Sequence, residues 1–410
     1  MGVVDTLSPS NQAMENHVET ATGSLLINLK CPACGAEYDA RQINTVCLKD
    51  GCGSSLFARY DLGQQLDKAI LKDRPASMWR YRELLPVFDQ QNVVTLGEGF
   101  TPVIPLNRLK KQAAYNKVFW KNEAGNPTGS FKARGMSMAV SKAKELGVEA
   151  IATPTAGNAG GAMSAYAARA GIKAVVYMPW LTPQVFKDEC RLYGAELVEV
   201  DGNIADCGKL INEKAAANNW FQIPTLKEPY RLEGKKTLGL EIAEQFDWQL
   251  PDVIFYPTGG GTGLLGIWKA FDELEQLGWI DSKRPRMVSV QSESCNGIVT
   301  AFNGGHATSE FIDGGFTIAN GLRVPKPYAD KLVLQVLRDS NGAALSVSDA
   351  EMSESVKEIA RNEGILVSPE GASLWQAFKR LQASGWIEPD EIVLMVNTGS
   401  GYKYLENIKI

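Results

Sequence analysis

The chain has no apolar run of the roughly 20 residues needed to cross a membrane, although 44% of its 410 residues are hydrophobic. It has no excess of positive charge either. Lys and Arg total 42 against 47 Asp and Glu, a formal net charge of −5, and the basic residues are scattered without a polybasic tail. The charge thus gives no electrostatic case for nucleic acid or an anionic membrane surface, and neither is expected as a partner. The first 23 residues carry Asp5, Glu15, His17 and Glu19 among Ser, Thr and Asn. They lack the apolar core of a secretory signal, so a disordered or tag-like tail is expected over residues 1–24. With no such signal, the seven cysteines point to a reducing cytoplasm, where metal binding is commoner than disulfides.

What is present suits two domains of ordinary size plus a small module. Cys31-Pro-Ala-Cys34-Gly and Cys47-Leu-Lys-Asp-Gly-Cys52-Gly are two cysteine pairs, each followed by glycine. Such turns place two thiolates on one side and let backbone amides approach the sulfurs, as in a zinc ribbon. Four cysteines close a tetrahedral site, so any zinc there is structural and not catalytic. The second spacing is wider than the usual two residues. Cys190, Cys207 and Cys295 have no sequence partners and read as small apolar residues.

Downstream of Lys132 the chain alternates strand and helix patterns. Strands are expected at 149–154, 173–178, 196–200, 252–256, 286–290 and 391–396, and helices at 160–170, 183–193 and 204–217. This order predicts an α/β fold of open, mostly parallel sheets with helices on both faces, three layers per domain. Ligands bind such sheets at the carboxyl ends of the strands. Three glycine-rich loops fall at those ends. Thr155-Ala156-Gly157-Asn158-Ala159 opens a helix whose amides can hold a carboxylate, and Asn158 can donate to a phenolate-type oxygen. Gly259-Gly260-Gly261-Thr262-Gly263 makes a backbone nest for a phosphate. It lacks the lysine of a Walker loop and the spacing of a dinucleotide fingerprint. Thr398, in Asn397-Thr-Gly-Ser-Gly401, can present a hydroxyl to a ring nitrogen.

A fourth feature joins them. Gly125-Asn-Pro-Thr-Gly-Ser-Phe-Lys132 places a lysine between a tight turn and a helix. Burial there favours the neutral amine, the form that makes a Schiff base with an aldehyde. A lysine for an aldehyde, a phosphate cup, a donor for a ring oxygen and a partner for a ring nitrogen together describe pyridoxal phosphate. A neutral hydroxyl at that nitrogen leaves the ring a weaker electron sink, which suits elimination and replacement better than transamination.

At these residues the chain resembles the fold-type II pyridoxal phosphate enzymes (tryptophan synthase beta-like), and within them the threonine synthase family. Leu96-Gly-Glu-Gly-Phe-Thr-Pro102, Trp79-Arg-Tyr81, Asn126-Pro-Thr-Gly-Ser-Phe-Lys132 and Tyr230-Arg-Leu-Glu-Gly-Lys-Lys-Thr237 are similar to family segments in the family's order. The resemblance implies that Lys132 carries the cofactor, Asn158 meets its ring oxygen, Gly259 to Gly263 hold its phosphate and Thr398 faces its nitrogen. It implies conversion of O-phospho-L-homoserine and water to L-threonine and phosphate, with the 155–159 loop on the substrate carboxylate and a homodimer as the working form. Arg134, Lys235 and Lys236 become candidates for the substrate phosphate. The implied layout is a zinc-ribbon-like module at 25–60, a large cofactor domain from 61–133 and 240–410, and a small domain at 134–239. Ala133 and Ala159 replace polar residues of the family pattern, and Ser368-Pro-Glu370-Gly-Ala-Ser373 differs from its usual form. A related serine or threonine ammonia-lyase, or a cysteate synthase-like β-replacement enzyme, is the alternative.

Overall fold

Val253–Pro257 is buried at every position, so both its faces must be covered, as in a parallel sheet flanked by helices. It sits in the middle of a six-stranded sheet. The order is Ala343–Val347, Arg286–Ser292, Val253–Pro257, Ile392–Asn397, Lys117–Asn122 and Val103–Pro105, and only the last pair is antiparallel. A second sheet of four parallel strands has the order Glu196–Val200, Lys173–Pro179, Ala150–Pro154 and Phe221–Gln222. The structure, a computed structural model, describes residues 23–63 and 66–408. Apart from Gly23 and Ser24, the tail expected over 1–24 lies outside the described residues. No helix among the described residues is long and apolar enough to cross a membrane.

The α/β fold with parallel-rich sheets is as expected, and each anticipated strand lies within a residue or two of its expected bounds. The strands at Lys117–Asn122, Phe221–Gln222 and Ala343–Val347 gave no such signal. Phe221–Gln222 has only two residues, and Lys117–Asn122 buries the charged Lys121, which breaks an apolar pattern. The expected domain limits at 133/134 and 239/240 fall inside the continuous helices Lys132–Glu145 and Tyr230–Gln245.

Tyr230–Gln245 is the helix on which the site rests. It is buried from Tyr230 to Ala243 despite carrying Arg231, Glu233, Lys235, Lys236 and Glu241. Buried charges persist only when paired, and most of these are. Glu233 meets Lys236 at 2.6 Å and Lys269 at 3.0 Å, while Glu241 meets Lys121 at 3.0 Å and Arg134 at 2.5 Å. Two glycines let its neighbours come close. A Cβ at Gly234 would collide with the Arg134 carbonyl, and one at Gly239 would sit 2.6 Å from the Ala270 methyl. The Lys132 helix is thereby pressed directly onto this one.

The amino-terminal module is an antiparallel sheet in the order Glu37–Tyr38, Leu26–Lys30 and Phe57–Tyr60. It is fastened to the body by the Tyr60 hydroxyl, which donates to Glu233 Oε2 at 2.8 Å, and by Ser55 Oγ, which donates to the Leu226 carbonyl at 2.6 Å. Cys190, Cys207 and Cys295 are buried.

Candidate active site

Thr128 and Gly129 both adopt left-handed backbone, φ 61° and 63°, which folds the Asn126–Phe131 turn back on itself. The turn is sewn to the last glycine loop. The Phe131 amide donates to the Thr398 carbonyl at 2.9 Å, and the Ser400 amide to the Gly129 carbonyl at 2.9 Å. Lys132 therefore begins its helix beside Thr398. Burial lowers its ammonium pKa, the Arg231 charge lowers it further, and Glu370 partly offsets both, leaving a value of about 8. Its Nζ lies 4.2 Å from the Phe131 ring centroid.

The remaining parts face the same cavity, of about 480 Å³. Lys132, Thr155, Ala156, Gly157, Asn158, Ala159, Gly259, Gly260, Gly261, Thr262, Gly263 and Thr398 all line it. The Asn158–Ala170 helix opens after Gly157 without a side-chain cap, so its first amides stay available to an anion. The Thr262–Gln276 helix opens the same way after Gly261, which is left-handed at φ 81°. A side chain on Gly259 would strike the Gly321 carbonyl, and one on Gly263 the Tyr256 hydroxyl. The nest is thus a cradle of bare backbone.

Orphaned polar atoms in the cavity wall fit a missing polar ring. Asn158 Nδ2 donates to the Tyr404 hydroxyl at 3.1 Å, and that hydroxyl donates to Glu370 Oε1 at 2.9 Å. Glu370 Oε1 also accepts from the Gly321 amide at 2.8 Å. Asn158 Oδ1, Glu370 Oε2, the Tyr256 hydroxyl and Asn320 Nδ2 are buried with no protein partner, and such atoms call for a ligand or water. A depressed lysine, two uncapped helix starts and a glycine cradle around one cavity suit pyridoxal phosphate.

Two candidate phosphate ligands lie elsewhere. Arg134 is fully buried and held by Glu123 at 2.6 Å and Glu241 at 2.5 Å. Lys236 is also fully buried, pairing with Glu233 at 2.6 Å and Glu273 at 2.8 Å. Neither lines the cavity. Lys235 does, but its Nζ donates to the Phe131 carbonyl. Burial, then the Lys132 and Arg231 charges, push its pKa well below the ordinary lysine value. Its ammonium is thus disfavoured there, and its Nζ is already engaged by a backbone carbonyl. Ala133 is buried away from the cavity, whereas Ala159 lines it. Arg231, Tyr256, Asn320, Glu370 and Tyr404 also line it and were not singled out as site residues. Arg231 stood inside a segment flagged for family likeness and Glu370 inside one flagged as departing from the family form, so a signal existed; Tyr404 and Asn320 gave none.

In the amino-terminal module, the Sγ atoms of Cys31, Cys34, Cys47 and Cys52 all lie within 4.8 Å of one another. Cys31 and Cys52 are 3.7 Å apart, and Cys34 and Cys47 3.4 Å. Tetrahedral zinc with arms of about 2.3 Å sets sulfur–sulfur edges near ~3.8 Å. The cluster matches that size.

A two-sheet α/β body with a buried lysine and two glycine-rich helix starts around one cavity has the make-up of a pyridoxal phosphate enzyme. Residues 94–399 match the family described as pyridoxal-phosphate dependent enzyme. The threonine synthase of Methanocaldococcus jannaschii is 36% identical over 378 residues, 91% of this chain and 92% of that protein. That of Methanosarcina acetivorans is 36% identical over 376 residues, 91% of each. Among solved structures, an L-serine ammonia-lyase from Rhizomucor miehei superposes with a TM-score of 0.63 at 21% identity, covering 75% of this chain and 98% of that one. Threonine deaminase isoform 2 from Solanum lycopersicum gives 0.62 at 20% identity, covering 73% of this chain and 79% of that one. At such identities these two attest the fold alone. The chain belongs to the threonine synthase family of pyridoxal-phosphate dependent lyases.

Proposed function

We propose that the chain converts O-phospho-L-homoserine and water into L-threonine and phosphate. The observation that carries this is the single cavity in which the lysine, the carboxylate loop, the glycine cradle and the Thr398 hydroxyl converge. When bound, pyridoxal phosphate supplies an electron sink for the bonds at the substrate α carbon. Lys132 would hold the cofactor aldehyde, and its amine, once free, would move protons at the substrate α and β carbons. The amides of Gly259 to Gly263 and the Thr262 helix start would hold the cofactor phosphate, the second N–H of Asn158 Nδ2, beside the one given to Tyr404, would donate to the ring oxygen, and the Thr398 hydroxyl would meet the ring nitrogen. Loop amides from Thr155 to Ala159 hold the substrate carboxylate. The γ carbon loses phosphate, and the water oxygen ends on the β carbon.

The test is to follow phosphate and threonine together from O-phosphohomoserine. Equal release of both is expected. Pyruvate or 2-oxobutyrate from serine or threonine, with no phosphate released, would establish the ammonia-lyase alternative instead.

The remaining parts of the reading are a cytoplasmic homodimer and a structural zinc on Cys31, Cys34, Cys47 and Cys52. The sulfur spacing supports the zinc. Cys34→Ser is expected to lose about one zinc per chain by metal analysis and to lower the melting temperature of the holoenzyme. Unchanged metal content would remove zinc from the picture. The organisation is a large domain from 61–133 and 240–410 with a small one at 134–239, each limit shifted to the nearest helix end.

A further inference from the structure

With Arg134 and Lys236 committed elsewhere, the substrate phosphate needs other cations. The cavity presents six: Lys132, Lys227, Arg231, Lys235, Arg323 and Lys326. Lys132 would be taken by the cofactor, and Lys235 Nζ is spent on the Phe131 carbonyl. Arg231 is buried with Nη1 on the Ile223 carbonyl at 2.8 Å. Lys326 is held by Asp330 Oδ2 at 3.0 Å. Lys227 and Arg323 are different. Both are exposed, and among the described residues neither has a carboxylate partner; Arg323 uses only Nε, toward the Gly314 carbonyl at 3.3 Å.

Both are also carried on segments pressed against the glycine cradle. A Cβ at Gly260 would lie 3.1 Å from the Thr225 methyl, two residues before Lys227. A Cβ at Gly259 would strike the Gly321 carbonyl, two residues before Arg323. Lys227 is further steered by Tyr328, with its Nζ 5.1 Å from the ring centroid, a cation–π distance. Tyr328 lines the cavity as well, and its hydroxyl donates to the carbonyl of Gly53, next to Cys52 of the cysteine cluster. The cysteine module thus fixes the ring that fixes the lysine.

We infer that Lys227 and Arg323 form the cationic mouth that binds the phosphate of the incoming substrate, with Tyr328 as the positioning residue for Lys227. This rests on the proposed reaction. Charge-assisted hydrogen bonds from unpaired cations to a phosphate dianion are strong and specific, and the glycine cradle would be filled by the cofactor's own phosphate.

The experiment uses holoenzyme carrying Lys227→Ala, Arg323→Ala, Lys227→Arg or Tyr328→Phe. For each alanine variant, KM for O-phosphohomoserine is expected to rise about tenfold or more, with kcat changed less than about threefold. Product inhibition by inorganic phosphate should weaken in parallel, while cofactor content and visible absorption stay as in the wild type. Lys227→Arg should restore most of the KM, and Tyr328→Phe should raise KM with kcat unchanged. An unaltered KM in both alanine variants overturns the inference, as does loss of bound cofactor, which would assign these cations to the cofactor phosphate. If the wild type fails to release phosphate from O-phosphohomoserine, the reaction itself is wrong. Calorimetric binding of inorganic phosphate to the wild-type and variant holoenzymes then decides the role of the two cations without turnover.

Discussion

Lys132→Ala is expected to lower kcat by at least about a thousandfold, because in the proposed reaction one group both carries the cofactor aldehyde and moves the protons. A positioned acid–base alone is worth about 10²–10⁴ in rate, and the covalent attachment adds to it. The measurement is coupled phosphate and threonine release by purified protein saturated with pyridoxal phosphate. Borohydride treatment offers a second readout, since it should fix the cofactor to the Lys132 peptide of the wild type and to no lysine peptide of the variant. Activity within about tenfold of the wild type would remove Lys132 from the chemistry. The pH dependence of cofactor uptake follows from the amine's depressed pKa of about 8. Only the neutral amine attacks an aldehyde. The uptake rate of the apoenzyme should therefore rise with pH to about 8 and level off above it. An unperturbed lysine would keep rising past pH ~10.

Arg134→Ala is expected to cost about 3–5 kcal/mol of stability, because it strands the buried Glu123 carboxylate and leaves Glu241 paired with Lys121 alone. Glu123 and Glu241 are fully buried and share this one guanidinium, whose Nε meets Glu123 Oε2 at 2.6 Å and whose Nη2 meets Glu241 Oε2 at 2.6 Å. Lys121 adds a second cation to Glu241 at 3.0 Å. Burial raises the Glu123 pKa, but the Arg134 charge and hydrogen bonds outweigh it and bring the group down to about 2. A folded-state value below the unfolded one of about 4.3 means the stabilisation is complete above that value and fades as pH falls toward 2. In the alanine variant burial prevails, so the penalty is largest near neutral pH and shrinks as the medium turns acid. Urea unfolding at pH 7 and at pH 4 measures both. A raised KM for O-phosphohomoserine with unchanged stability would return Arg134 to the substrate.

The contrast between Arg134 and Lys132 shows what was legible in the sequence. Lys132 was readable because a tight turn, a helix start and three loops of different chemistry each suit one part of one cofactor, and every one of those signals is local. Arg134 sits two residues along the same helix, and its fate depends on Glu123 and on Glu241, which is supplied by a distant helix. No local pattern distinguishes a cation facing a cavity from one facing a buried carboxylate. The same holds for Lys236, whose partner Glu273 belongs to the helix after the glycine cradle. Strands with apolar runs, such as Val253–Pro257 and Ile392–Asn397, were found because their burial is written in composition. Lys117–Asn122 was not, since a lysine at its centre is satisfied only in three dimensions. Tyr404 and Asn320 enter the cavity from segments with no motif, carried there by tertiary packing.

The stitching of the Asn126–Phe131 turn to the last loop has a consequence in time. Lys403 Nζ donates to the Thr128 carbonyl at 2.7 Å across 275 residues of chain, beside the backbone bonds that join Phe131 to Thr398 and Gly129 to Ser400. Contacts of such long sequence separation form late in folding. A nascent chain that has made Lys132 still lacks the wall against which that lysine is set until the 397–403 segment has emerged and docked. The amine is therefore born without its partner surface, and the cavity around it is complete only when the 126–132 and 397–403 segments meet.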